Sequence, residues 1–298
     1  DTTSFSPLVS VRRRGLPARA NPAVHSISRR VISGCRFCTV QNDVISIVQT
    51  DLIGHNRAAG YCARSGRKAK MNGYQRIAAV LGGRPPDRVP VMLHNFLMAA
   101  REAGVSMREY RRNPRAIARC FIESVERYGY DGIVVDVDTA TLAGAVGVPV
   151  DYPDDAPARC SGEGKIGSLQ EVADLAPPNL LKDAGIETWL EATAILKRHF
   201  GDEVYIRGNC DQAPYSLAAS VRSPEGWMMD LMDEANHESA HKLLSWCSGA
   251  VSEFIGLMAA TGAHMVSNGD SWGSPDLVSP RLYREFALPY EKSVVSAA

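Results

Sequence analysis

The 298 residues, 45% hydrophobic and 22% charged, supply core material for one large domain or two ordinary ones and read as a soluble globular protein. No run approaches the roughly 18 uninterrupted apolar residues of a membrane span, the best being 44–48 between Asp43 and Asp51, so a membrane protein is not expected. The formal charge of zero conceals a contrast: residues 1–70 hold 12 of the 33 Lys and Arg but only three acids, leaving 21 basic and 30 acidic residues from 71 onward.

Residues 1–70 carry Arg12-Arg13-Arg14 and Arg29-Arg30 with scattered Ser and Gly and no apolar period of 2 or 3.6. They are expected to be a basic, disordered or non-native extension. A targeting leader is the alternative, and sparse aromatics with no recognition motif argue against nucleic acid. Seven scattered cysteines suit reduced thiols in the cytoplasm. The single CxxC, Cys35 and Cys38, lacks the second pair a four-ligand zinc site needs.

From Met71 strands and helices alternate. A short amphipathic helix over 72–82 is broken by Arg84-Pro85-Pro86-Asp87, and the apolar run 89–93 reads as the first strand. Asn113-Pro114 caps a helix that presents Ile117, Phe121, Val125 and Tyr128 on one face and stops at Gly129. Ile133-Val134-Val135 is a strand buried on both faces, closed by Asp136-Val137-Asp138. A capping box at Ser168 and Glu171, a helix around 187–200 and the strand 204–207 follow. A long helix over 236–260 ends at Gly262, the strand 263–266 delivers Gly269-Asp270-Ser271-Trp272, and Ser279-Pro280 opens another helix. The alternation, with no hairpin signals, predicts an α/β fold with a parallel sheet, either barrel or doubly wound.

Polar residues gather after each strand: His94-Asn95, Asp136 and Asp138, Cys210-Asp211-Gln212, Asp270-Ser271. In a barrel these ends share one face, which carries the active site. Singly, each has a plain structural role: His94 as a satisfied core histidine, Cys210 as a small apolar group, Asp138 and Asp270 as caps. Neither a G-x-S-x-G elbow nor a phosphate-binding glycine loop is present.

The segments Arg88-Val89-Pro90-Val91, 131–147 (DGIVVDVDTATLAGAVG), 208–221 (GNCDQAPYSLAASV) and 270–289 resemble successive landmarks of the uroporphyrinogen decarboxylase superfamily. The resemblance implies a (β/α)8 barrel over residues 71–298, with about five of eight strands present and the C-terminal ones missing. It also implies tetrapyrrole or corrinoid chemistry, with Asp138 and Ser271 as catalytic residues. His94, Asn95, Asp136, Cys210, Asp211 and Asp270 are the expected substrate-binding residues. A buried carboxylate at Asp138 would accept pyrrole N–H groups and offset the positive charge that develops on a protonated ring.

Three departures stand against the decarboxylase branch. The family's arginine segment reads 95–99 (NFLMA), with Asn95 and Ala99 at its two arginine positions; its tyrosine falls at Ser220; its late histidine is expected beyond Ala298. A polyanionic substrate wants bidentate cations. The methyltransferase branch, which passes a methyl group between a protein-bound corrinoid and a small acceptor with the help of zinc, lacks the arginines. Its His-x-Cys ligands would follow residues like Leu288-Pro289-Tyr290, so no metal ligand is assigned. A decarboxylase would need no cofactor. The alternatives are thus methyltransferase, decarboxylase or inactive fragment. Expected partners are a tetrapyrrole or a methyl donor and acceptor, a corrinoid protein in the methyl-transfer case, and a second copy in a homodimer.

Overall fold

The computed structural model describes residues 70–297 apart from Val137, together with a strand at 45–48. Helix α1 (Gly73–Leu81) starts where a capping box sits: the Gln75 N–H donates to Asn72 Oδ1 at 2.8 Å, and the Asn72 N–H donates to Gln75 Oε1 at 3.1 Å. Arg76 and Arg88 both reach the Asp131 carboxylate, at 2.8 and 2.7 Å. This network pins α1 beneath the sheet, at the N-terminal ends of the strands.

Gly73 lies against the backbone of Asp131, whose Cα and C would stand 2.8 and 2.9 Å from an added Cβ. Backbone atoms cannot swing aside as a side-chain tip can. Gly73→Ala is therefore expected to destabilise the fold by about 2 kcal/mol, read as a lower urea midpoint. An unchanged midpoint would mean that α1 can slide.

Four strands form a parallel sheet in the order β2 (Met92–Leu93), β3 (Gly132–Val135), β6 (Tyr205–Asn209), β7 (Met265–Gly269). Between β2 and β3 run α2 (Phe96–Glu102), α3 (Met107–Tyr110) and α4 (Pro114–Tyr128). Asn113 caps α4, Pro114 opens it and Gly129 closes it at φ 62°, as its sequence predicts. Between β3 and β6 lie α5 (Thr141–Ala145), the pair β4 (Val150–Asp151) and β5 (Arg159–Cys160), and α6 (Ala184–Phe200). Between β6 and β7 come α7 (Pro214–Arg222), α8 (Pro224–Asp230) and α9 (His237–Ala260). After β7, α10 (Pro280–Leu282), a π turn (Tyr283–Ala287) and α11 (Leu288–Ala297) form one bulged helix.

Several expectations need correcting. Among the described residues the parallel strands number four rather than about five, and the sheet does not close on itself. The place beyond β7 is taken by β1 (Ile45–Val48), which pairs with it antiparallel; the rest of the extension expected before residue 70 lies outside the described residues. A short antiparallel pair, β4 with β5, occurs where no hairpin was expected. At Ser168 the expected capping box gives a 3-10 turn, Leu169–Asp174, with no side-chain cap. Ala176-Pro177-Pro178 leaves no room for an α-helix to propagate.

The two faces of the sheet differ in chemistry. Ile133, Val135, Ile206, Cys210 and Val266 face the main helical core. On the other face Ile77 of α1 joins Tyr205 and Met265, with Met92 packed beside them. The stretch 234–260 has the length and composition of a membrane span, yet Leu243, Leu244, Cys247, Val251, Phe254 and Met258 of α9 are buried within the core. That makes α9 a core helix.

Candidate functional site

A strand buried on both faces should be apolar throughout, and β6 is not. Arg207 and Asn209 alternate with Ile206 and Gly208 and so share the α1 face with Tyr205. On that face Asp136, just past β3, gathers the neighbouring strand ends. Its Oδ2 lies 2.6 Å from His94 Nε2 and accepts the Asn209 Nδ2 hydrogen bond at 3.0 Å. Ser267 of β7 donates to Asn209 Oδ1 at 3.3 Å, and Arg207 Nε donates to Ser267 at 2.7 Å. The Tyr110 hydroxyl and the Trp189 indole donate to the backbone carbonyls of Asp136 and Val135, at 3.1 and 3.3 Å. The backbone that carries this carboxylate is thus held by α3 and α6.

The cluster also shifts the titration of its members. The hydrogen bond that Asp136 accepts from His94 raises the His94 pKa against the opposing effect of burial. Burial, then the nearby Asp136, pushes Asp211 up to about 6; its Oδ1 accepts the Gly269 N–H at 3.0 Å. Burial lowers the Arg207 pKa. Half of the His94 side chain is exposed while Asp136 is buried. With Nε2 directed at Asp136, Nδ1 is left for a substrate. An accessible imidazole whose pKa is raised by a buried carboxylate, beside a carboxyl pushed up to about 6, suits general acid-base chemistry.

Of the sequence-predicted residues, His94, Asp136 and Asp211 come together. Arg207, Asn209 and Ser267 join them unpredicted, although polar residues at alternate positions of a doubly buried strand were a readable signal. The others lie elsewhere. Asn95 Nδ2 donates to Ser124 of α4 at 3.1 Å, a core contact rather than a mouth-facing one. Cys210 is fully buried against α9, its Sγ 3.8 Å from the Phe254 carbonyl, and burial pushes its thiol pKa well up. It is a core residue and cannot touch substrate. Asp270 turns to the helical side, where its Oδ1 accepts the Ser216 N–H of α7 at 2.8 Å and also the Ser216 hydroxyl. Ser271 is exposed at the start of a 3-10 turn, Ser271–Gly273.

Asp138 occupies a separate position. Its Oδ1 accepts from the N–H groups of Ala140 and Thr141 at 2.9 and 2.7 Å and from the Thr141 hydroxyl at 2.8 Å, which caps α5. It also lines a cavity of about 340 Å³ with Arg111, Arg112, Thr141, Tyr152 and Asp183. That lining has no residue in common with the His94 cluster, so the expected convergence of Asp138 with His94 and Asp270-Ser271 does not occur.

The uroporphyrinogen decarboxylase (URO-D) family profile matches residues 72–298. The chain belongs to the URO-D family. It is 27% identical over 236 residues to the uroporphyrinogen decarboxylase of Xanthomonas axonopodis pv. citri (strain 306), covering 72% of this chain and 62% of that protein. Identity to the uroporphyrinogen decarboxylase of Idiomarina loihiensis is 24% over 245 residues, covering 74% and 63%. The chain therefore spans less than two thirds of these relatives' length. Among solved structures a methyltransferase from Methanosarcina mazei aligns with a TM-score of 0.67 at 23% identity, over 76% of this chain and 67% of that one. At that identity the likeness is one of fold.

Two positions where the resemblance implies arginines are occupied otherwise. Ala99 is buried in α2 and Asn95 is committed to Ser124. Among the described residues no group of three or more His, Cys, Asp or Glu side chains could hold a metal ion.

Proposed function

We propose that this URO-D family member is a cytoplasmic enzyme of the methyl-transfer branch, its four parallel strands being part of a (β/α)8 barrel. It would pass a methyl group between a corrinoid carried by a partner protein and a small acceptor. The observation that carries this reading is the lack of paired cations at the strand-end face. Among the described residues Arg207 is the one arginine in the cluster of His94, Asp136, Asn209, Asp211 and Ser267, and it is tied to Ser267, whereas a polycarboxylate wants several bidentate cations.

The corrinoid supplies an electrophilic methyl group when its carrier docks. This chain's part is to handle the acceptor's proton: the acceptor S–H bond breaks, its proton goes to His94 Nδ1, and Asp136 stabilises the resulting imidazolium. The second reading, decarboxylation of a porphyrinogen, is favoured by the names of the sequence relatives. There the same imidazolium would give its proton to a pyrrole carbon. The full chain incubated with methylcobalamin and 2-mercaptoethanol is expected to demethylate the cobalamin, followed by visible absorption, and to release no CO2 from uroporphyrinogen. Absence of methyl transfer overturns the proposal. Release of CO2 from uroporphyrinogen replaces it with decarboxylation.

A further inference from the structure

Asp270, just past β7, and Glu291, on α11, are both buried. Each carboxyl has one oxygen with visible donors. Asp270 Oδ1 accepts from Ser216, and Glu291 Oε2 accepts the Tyr283 hydroxyl at 2.6 Å. Each also has one buried oxygen without a donor, Asp270 Oδ2 and Glu291 Oε1, while the two side chains stand close enough to hydrogen-bond each other. Two carboxylates cannot do so, because both are acceptors. One proton resolves both orphans: Asp270 Oδ2–H donates to Glu291 Oε1.

The bond ties the strand-end loop to the bulged helix. Ser216 Oγ donates to Asp270 and accepts the Trp272 N–H at 3.0 Å, so a continuous chain runs from Tyr283 through Glu291, Asp270 and Ser216 to Trp272, next to Ser271. The π turn Tyr283–Ala287 sits inside the same helix, and such bulges concentrate at functional positions. We propose that a proton shared between Asp270 and Glu291 is a latch that holds the loop bearing Ser271 in place, and that Glu291 and Ser216 are its positioning residues. The proposal does not depend on which reaction the family member runs.

The groups that face the pair are Tyr215 and Ser216 on α7, Cys247 on α9 and Tyr283 on the π turn. Burial raises the pKa of both carboxyls. A raised folded value means that the latch's contribution is complete below the ordinary carboxyl range and is lost as pH rises through the folded value.

Amide hydrogen exchange of the full chain, corrected for the intrinsic rate, reads this directly. Protection at Trp272 and Ser216 should fall about tenfold per pH unit above the folded value, while the amides of β3 stay protected. Asp270→Asn imitates the protonated acid, since its amide donates to Glu291 and its oxygen accepts from Ser216, and should make protection independent of pH. If that variant does not fold, Tyr283→Phe removes a donor that favours Glu291 carboxylate and should move the loss to higher pH. Wild-type protection that does not change with pH, an Asp270→Asn slope equal to wild type, or a Tyr283→Phe onset that stays put or moves lower would each overturn the latch.

Discussion

Asp136→Asn is expected to lower turnover about 100- to 1,000-fold with little loss of stability. The amide oxygen can still accept one of the two bonds now made by Asp136 Oδ2, from His94 or from Asn209. What it cannot supply is negative charge beside the imidazole. That hydrogen bond is the largest cause of the raised His94 pKa, so the variant's His94 should titrate lower. In the wild type, the stabilising contribution of the charged imidazole is present below the ordinary histidine range and lost as pH rises through the raised value. The His94-dependent limb of the pH–rate profile should accordingly move to lower pH in the variant. A profile whose limb stays in place while turnover drops would mean that His94 is not the proton carrier. Retained turnover would remove Asp136 from the site altogether.

Elements fixed by local chemistry could be read from the sequence. Asn113-Pro114, Gly129 and Ser279-Pro280 each mark a helix boundary that forms for the expected reason, and the apolar runs became parallel strands. Strand-end chemistry was legible only as a set of loops. Which way each side chain turns depends on loop geometry that no local pattern encodes. Asp136 and Asp138 are two residues apart, yet one gathers three strands and the other caps α5. Asp211 faces the proton site, whereas its neighbour Cys210 is locked under Phe254. Arg207 ends the strand read over 204–207 and Ser267 follows the one read over 263–266; a polar side chain at such a strand end was the local sign of the face they line.

Asp138 separates a structural role from a chemical one within a single carboxylate. The three donors to Oδ1 come from Ala140 and Thr141, and the residue is almost wholly buried. Asp138→Ala would strip the acceptor from these groups, with an expected destabilisation of about 3 kcal/mol from the lost cap and the buried unpaired donors. Asp138→Asn keeps an oxygen in the same place, so its stability should stay within about 1 kcal/mol of wild type. Burial raises the Asp138 pKa, with these hydrogen bonds opposing the shift, so the charge it keeps depends on the cap. Should that charge act on a bound substrate from the cavity beside Arg111 and Tyr152, Asp138→Asn should lower turnover at least about 100-fold, because a neutral amide cannot offset developing positive charge. Chemical denaturation of both variants, paired with turnover per folded molecule, distinguishes the roles. Turnover preserved in Asp138→Asn, with Asp138→Ala unstable, would make Asp138 a helix cap alone and leave the proton chemistry to His94 and Asp136.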